Sequence, residues 1–131
     1  MNKKYLARII ATDNEGLQMI SAYCAGAEVK ISDIKYLQKS KVFLFSLKRF
    51  KIETEIKEKK VNSICKFEFV DCVKSKNIKQ QEAELTLKLV TINFLKNSEN
   101  YEISLIFTNN AYITLSTEII EITLEDQNEI D

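Results

Sequence analysis

Gly26-Ala27-Glu28-Val29-Lys30-Ile31-Ser32 marks the point at which the hydrophobic period of this chain changes. Upstream, Leu17, Ile20, Ser21 and Cys24 recur at helical spacing, with Ala22 and Tyr23 widening the apolar stripe. Downstream, Ala27, Val29 and Ile31 alternate with Glu28, Lys30 and Ser32, a period that in a strand sends the two sets to opposite faces. The chain therefore reads as one N-terminal helix feeding a sheet. Thr12-Asp13-Asn14-Glu15 has the pattern of a capping box with Thr12 as the cap, and Gly26 is placed to take the left-handed position that ends the helix.

The period of two extends in both directions from this junction. Residues 5–11 alternate loosely as a strand ahead of the helix. Residues 42–47 are apolar on both faces except at Ser46 and suit a central strand, whereas 50–57 alternate cleanly and suit a half-exposed one. Residues 57–60 read as a turn, and Val61, Ser63, Cys65, Phe67 and Phe69 form a further alternating strand that ends near Val73, before a polar break at 74–81. Residues 85–92 fit a strand or a helical face, and the β-branched Val90-Thr91-Ile92 favours the strand. Residues 101–107 and 111–115 form a hairpin about Asn109-Asn110, in which asparagine supplies positive φ, and 119–124 make a last strand. The expected fold is α+β: one N-terminal helix and about eight strands in a mainly antiparallel curved sheet or half-closed barrel. A pleckstrin-homology-like barrel is the alternative, although the C-terminal helix usual there is not evident.

Composition bounds what such a fold does. The 131 residues are 45% hydrophobic and 29% charged with a mean hydropathy of −0.18, which suits one soluble domain over residues 1–131, with 127–131 as a frayed acidic tail. No apolar run reaches the ~20 residues that span a bilayer, and the start does not resemble a secretory leader, so a cytoplasmic location is expected. Cys24, Cys65 and Cys72 show no metal-binding or redox spacing and are expected to be reduced and buried. Histidine is absent, which removes the commonest general base near neutral pH and the commonest ligand for zinc. Only two glycines occur, Gly16 and Gly26, kept apart by the helix, so there is no phosphate-cradling loop. Paired carboxylates such as Glu53 with Glu55, or Glu118 with Glu121, are not singled out by anything around them. No catalytic, cofactor-binding or metal-binding residue is expected.

The distribution of charge is the remaining signal. Residues 97–131 hold eight acids and no base, so the rest of this neutral chain, with 19 basic and 11 acidic side chains, carries +8. Lys48, Arg49, Lys51, Lys57, Lys59 and Lys60 form the densest basic run and are the expected partner-binding residues. They suit a non-catalytic binding or adaptor domain that engages a protein or another anionic partner through a sheet edge or basic strand face. An RNA or single-stranded nucleic-acid module would use the same residues, with Phe43, Phe45 or Phe50 for stacking, although two arginines and a pI near 6.4 are meagre for that task. An enzyme relying on Lys, Tyr and carboxylates is a third reading. Cross-strand pairing between the acidic C-terminal strands and the basic ones would neutralise both.

Several segments together carry a likeness to a known family. They are Asp13 with Leu17 and Ile20-Ser21-Ala22, Gly26-Ala27-Glu28-Val29, Lys48-Arg49-Phe50, Val61-Asn62-Ser63 leading to Phe67, Glu118-Ile119-Ile120-Glu121, and Leu124-Glu125-Asp126. On these residues the chain resembles the alphaproteobacterial domain-of-unknown-function family numbered twenty-nine forty-eight. That family has Asn-Arg-Phe where this chain has Lys48-Arg49-Phe50. The resemblance implies a single domain over nearly the whole chain and a bacterial origin; it implies no mechanism.

Overall fold

In the computed structural model, which describes residues 6–51 and 59–130, strand β1 (Arg8–Ala11) leads into helix α1 (Asn14–Cys24). The helix begins one residue later than the capping box implied. Asp13, not Thr12, is the N-cap, and its carboxylate accepts the Gly16 N–H at 2.8 Å. An acid here also meets the positive end of the helix dipole, which a threonine would not. A methyl group at Gly16 would lie 2.8 Å from the Ala11 Cβ, so the glycine is what lets the helix fold back closely on β1. Gly26 follows the C-cap Ala25 with φ +81°, the left-handed conformation expected of it.

Nine further strands follow among the described residues: β2 (Glu28–Lys30), β3 (Ile34–Leu37), β4 (Val42–Phe50), β5 (Lys60–Phe67), β6 (Val70–Lys76), β7 (Thr86–Lys96), β8 (Tyr101–Phe107), β9 (Tyr112–Thr117) and β10 (Ile122–Ile130). All pair antiparallel in the order β1-β10-β5-β4-β2-β7-β8-β9-β6, with β3 beside β4 off this path. The α+β class and the antiparallel sheet stand as expected, but there are ten strands rather than about eight. One addition is β3. The other arises because residues 61–73 are not one strand: the chain turns at Phe69, φ +58°, and resumes as β6 through the polar residues 74–76. The half-exposed strand expected over 50–57 lies outside the described residues beyond Lys51.

The sheet is open, with β1 and β6 at its ends, and it is not strongly curled, so neither the half-closed barrel nor the pleckstrin-homology-like one is the architecture. A barrel needs a continuous staggered ladder. Here the ladder between β2 and β4 is registered at one pair, Glu28 with Lys48. The segment after β9 also forms a strand, β10, instead of a helix. The residues expected as a frayed tail continue β10 beside β5 as far as Ile130 opposite Lys60, after a bulge between Asp126 and Asn128.

Helix α1 packs on β7, β1 and β4. Its buried residues Leu17, Ile20 and Cys24 join side chains from most of the strands in one apolar cluster, within which Phe43, Phe45 and Phe67 lie 6.0–6.3 Å apart between ring centroids. The fourth, Ser21, accepts the Ile92 N–H at 2.9 Å and contacts the Thr91 hydroxyl at 3.3 Å, beside the bulge that interrupts the β7–β8 ladder. A helix hydroxyl thereby satisfies a backbone group at the irregularity. Among the described residues no helix is long and apolar enough to cross a membrane.

Candidate functional site

Strand β4 keeps its period of two after its apolar residues end. Phe43, Phe45 and Leu47 point inward, Arg49 and then Lys51 just beyond the strand follow them, and Ser46, Lys48 and Phe50 point outward. The phenylalanines considered for stacking therefore divide: Phe43 and Phe45 are core, and Phe50 is exposed. The six basic residues divide as well. Lys48 is exposed, Lys59 and Lys60 are half-buried, Arg49 and Lys51 are each only 1% exposed, and Lys57 lies outside the described residues. The Lys51 N–H donates to the Lys59 carbonyl at 2.9 Å.

Arg49 ends in a sealed polar cluster. Its Nη2 donates to both oxygens of Asp126 at 2.9 Å and its Nε to Asp126 Oδ1 at 3.2 Å, with both side chains fully buried. The Ser63 hydroxyl donates to Asp126 Oδ1 at 2.7 Å and lies 3.2 Å from Arg49 Nε, while the Ala7 N–H donates to Asp126 Oδ2 at 2.8 Å. Arg49 Nη1 reaches the Phe50 carbonyl at 3.3 Å, and its guanidinium carbon stands 5.4 Å from the centroid of the Tyr23 ring. The cluster ties β4, β5, β10, the segment before β1 and the helix together. Three segments that carry the family likeness, those containing Arg49, Ser63 and Asp126, meet here. A guanidinium and carboxylate so fully paired are held in place and have no face left for a partner.

Directly beyond the cluster the β10 bulge turns Gln127 and Asn128 both to the outer side of the sheet. There they line an open groove of about 330 Å³ with Glu28, Lys30, Asp33, Lys48 and Asn62. Lys60 Nζ lies 3.5 Å from Glu28 Oε1, and Lys30 Nζ 3.2 Å from Glu84 Oε2. Lys48 has no ion-pair partner among the described residues. A second hollow, of about 280 Å³, continues across β5 and β10 past Ile64, Lys66 and Thr123 to the exposed Arg8–Glu125 pair, 2.8 Å apart. The outer face of β2, β4, β5, β10 and β1 is thus a shallow amphipathic surface of mixed charge. Of its groove residues the sequence singled out Lys48 alone. Asn62, Gln127 and Asn128 carry no chemical signature, and the last two lie in the stretch whose polarity predicts a tail.

The cysteines lie apart from this face. Cys24 and Cys65 are buried as expected, but Cys72 is exposed on β6. A hydrogen bond with Cys24, then burial, pushes the Cys65 thiol well above its ordinary value of 9.0, which disfavours the nucleophilic thiolate. Glu53 and Glu55 lie outside the described residues, and Glu118 is exposed while Glu121 is half-buried. Among the described residues no three side chains of the metal-ligating types come together.

Neither curated proteins nor solved structures yield a match to this chain. The model of a family described as a protein of unknown function, DUF2948, matches residues 7–130, and the chain belongs to that family.

Proposed function

We propose that this domain is a non-catalytic binding or adaptor module of the cytoplasm that seats a protein segment on the outer face of β2, β4, β5 and β10. The observation that carries the reading is the groove beside Lys48: an exposed ammonium with no ion-pair partner among the described residues, set in a polar hollow on a sheet locked from behind by the Arg49–Asp126 cluster. Asn62 Nδ2 donates to Asn128 Oδ1 at 3.4 Å and Gln127 Nε2 to the Glu125 carbonyl at 3.2 Å, which gives the groove a tied polar floor, and Lys48 suits an acidic side chain on a segment laid across it. The mixed signs of Glu28, Lys30, Asp33 and Lys48 weigh against a nucleic-acid strand, whose phosphates call for a basic track.

A photo-crosslinking residue in place of the exposed Ser46, inside the groove, tests this in cells. The expected result is a discrete protein adduct that Lys48→Glu weakens at least tenfold, with none from the same residue in place of Met19, exposed on the helix. An adduct indifferent to Lys48→Glu, or one formed equally from position 19, rejects the reading. Tight retention of single-stranded oligonucleotides at low salt would favour the nucleic-acid alternative instead.

A further inference from the structure

The other end of the sheet presents a different surface. Strand β6 is terminal in the strand order and pairs with β9 along one edge only. At its start the Val70 N–H donates to the Lys41 carbonyl at 2.8 Å, and just past its end Asn77, φ +61°, donates from Nδ2 to the Asn110 carbonyl at 2.7 Å. Between these two anchors residues 72–76 run extended, past the bulge at the strand's start, with no strand on their outer edge among the described residues. Such an edge is a row of backbone donors and acceptors already held in the geometry that a further strand needs.

Its side chains select what adds there. Cys72, Lys74, Ser75 and Lys76 are exposed, while Val73 leans on the core. Lys74 and Lys76, two residues apart, share one face, and neither has an ion-pair partner among the described residues. Two copies of this edge laid together would set lysines against lysines, which disfavours self-pairing. An extended segment with acids at alternate positions meets no such penalty and places opposite charges on the same face. We propose that the β6 edge takes an acidic, extended segment of a protein partner as an additional antiparallel strand, independently of the Lys48 groove.

The test uses the full chain and three capped nine-residue probes: alternating glutamate and valine, alternating lysine and valine, and the glutamate–valine sequence N-methylated at every residue. Backbone hydrogen exchange and amide chemical shifts are followed at low salt. The glutamate–valine probe is expected to slow exchange within residues 72–76 at least tenfold. The lysine–valine probe is expected to do nothing. The N-methylated probe, equal in charge but without backbone N–H groups on either edge, is expected to leave exchange there unchanged. Lys74→Glu/Lys76→Glu, exposed changes checked by an unaltered thermal melt, should reverse the preference toward the lysine probe, whereas Lys48→Glu should leave it intact. The proposal is overturned by an absence of protection at millimolar glutamate–valine probe, by equal protection from the N-methylated probe, by binding that survives the double reversal, or by shifts that map to the Lys48 groove.

Discussion

Lys48 and Arg49 are neighbours in the chain with the same charge, and they build two opposite regions. Arg49 lies beneath the sheet, where the Asp126 carboxylate, the Ser63 hydroxyl and the Phe50 carbonyl take up its donors out of reach of water. Lys48, one residue earlier, stands in an open groove among side-chain amides. The difference teaches that a run of basic residues on a strand is two populations by construction, because successive side chains leave the pleat on opposite faces. Counting charge along the strand cannot separate them. The register and the far strand that supplies the counter-ion can.

The largest expected effect comes from breaking the sealed side. Asp126→Ala strands a buried guanidinium and removes the acceptor of the Ala7 N–H and the Ser63 hydroxyl. A loss of about 3–5 kcal/mol is expected in urea unfolding, the cost of a buried ion without its partner. A loss under about 1 kcal/mol would mean that Arg49 escapes to solvent, and the contrast with Lys48 would dissolve.

Replacing both charges sharpens the same point. Arg49→Met/Asp126→Leu removes the ions together, and burying two apolar side chains is far cheaper than burying one unpaired charge. The double variant is expected to be less destabilised than Asp126→Ala, with a residual cost of about 1–3 kcal/mol from the orphaned Ala7 N–H and Ser63 hydroxyl. Unfolding curves for both single variants and the double variant give the coupling directly. If the double variant is the least stable of the three, the cluster owes its stability to packing shape rather than to charge.

Much of the fold was legible because the period of the apolar residues is itself the structural fact. The change at Gly26 located the end of the helix, and Asn109 and Asn110 took the positive φ values, 64° and 57°, expected of the hairpin they join. What stayed hidden lacked a local signal. Phe69 makes a left-handed turn with a side chain that gives no turn signature, so β5 and β6 read as one strand. The end of β10 is polar and looks like solvated tail. Its order comes from pairing with β5 and from Asp126 meeting Arg49 across 77 positions of sequence, which no short window contains. For the same reason Arg49 carries no local sign of burial: it stands in a basic run, and only the distant carboxylate explains how it stays inside.

The smallest expected effect completes the comparison from the open side. Lys48 sits opposite Glu28 in the β2–β4 register, yet Glu28 is engaged by Lys60, and Lys48 forms no ion pair among the described residues. Its removal therefore breaks no salt bridge among the described residues. Lys48→Ala is expected to shift unfolding by no more than about 0.5 kcal/mol in either direction, the usual range for a surface change away from a packed feature. Measured beside Asp126→Ala, this places two adjacent cations nearly an order of magnitude apart in their worth to the fold. A loss above about 1 kcal/mol from Lys48→Ala would make that side chain part of the framework, and the groove would then be a piece of the sheet's own packing rather than a surface kept open for a partner.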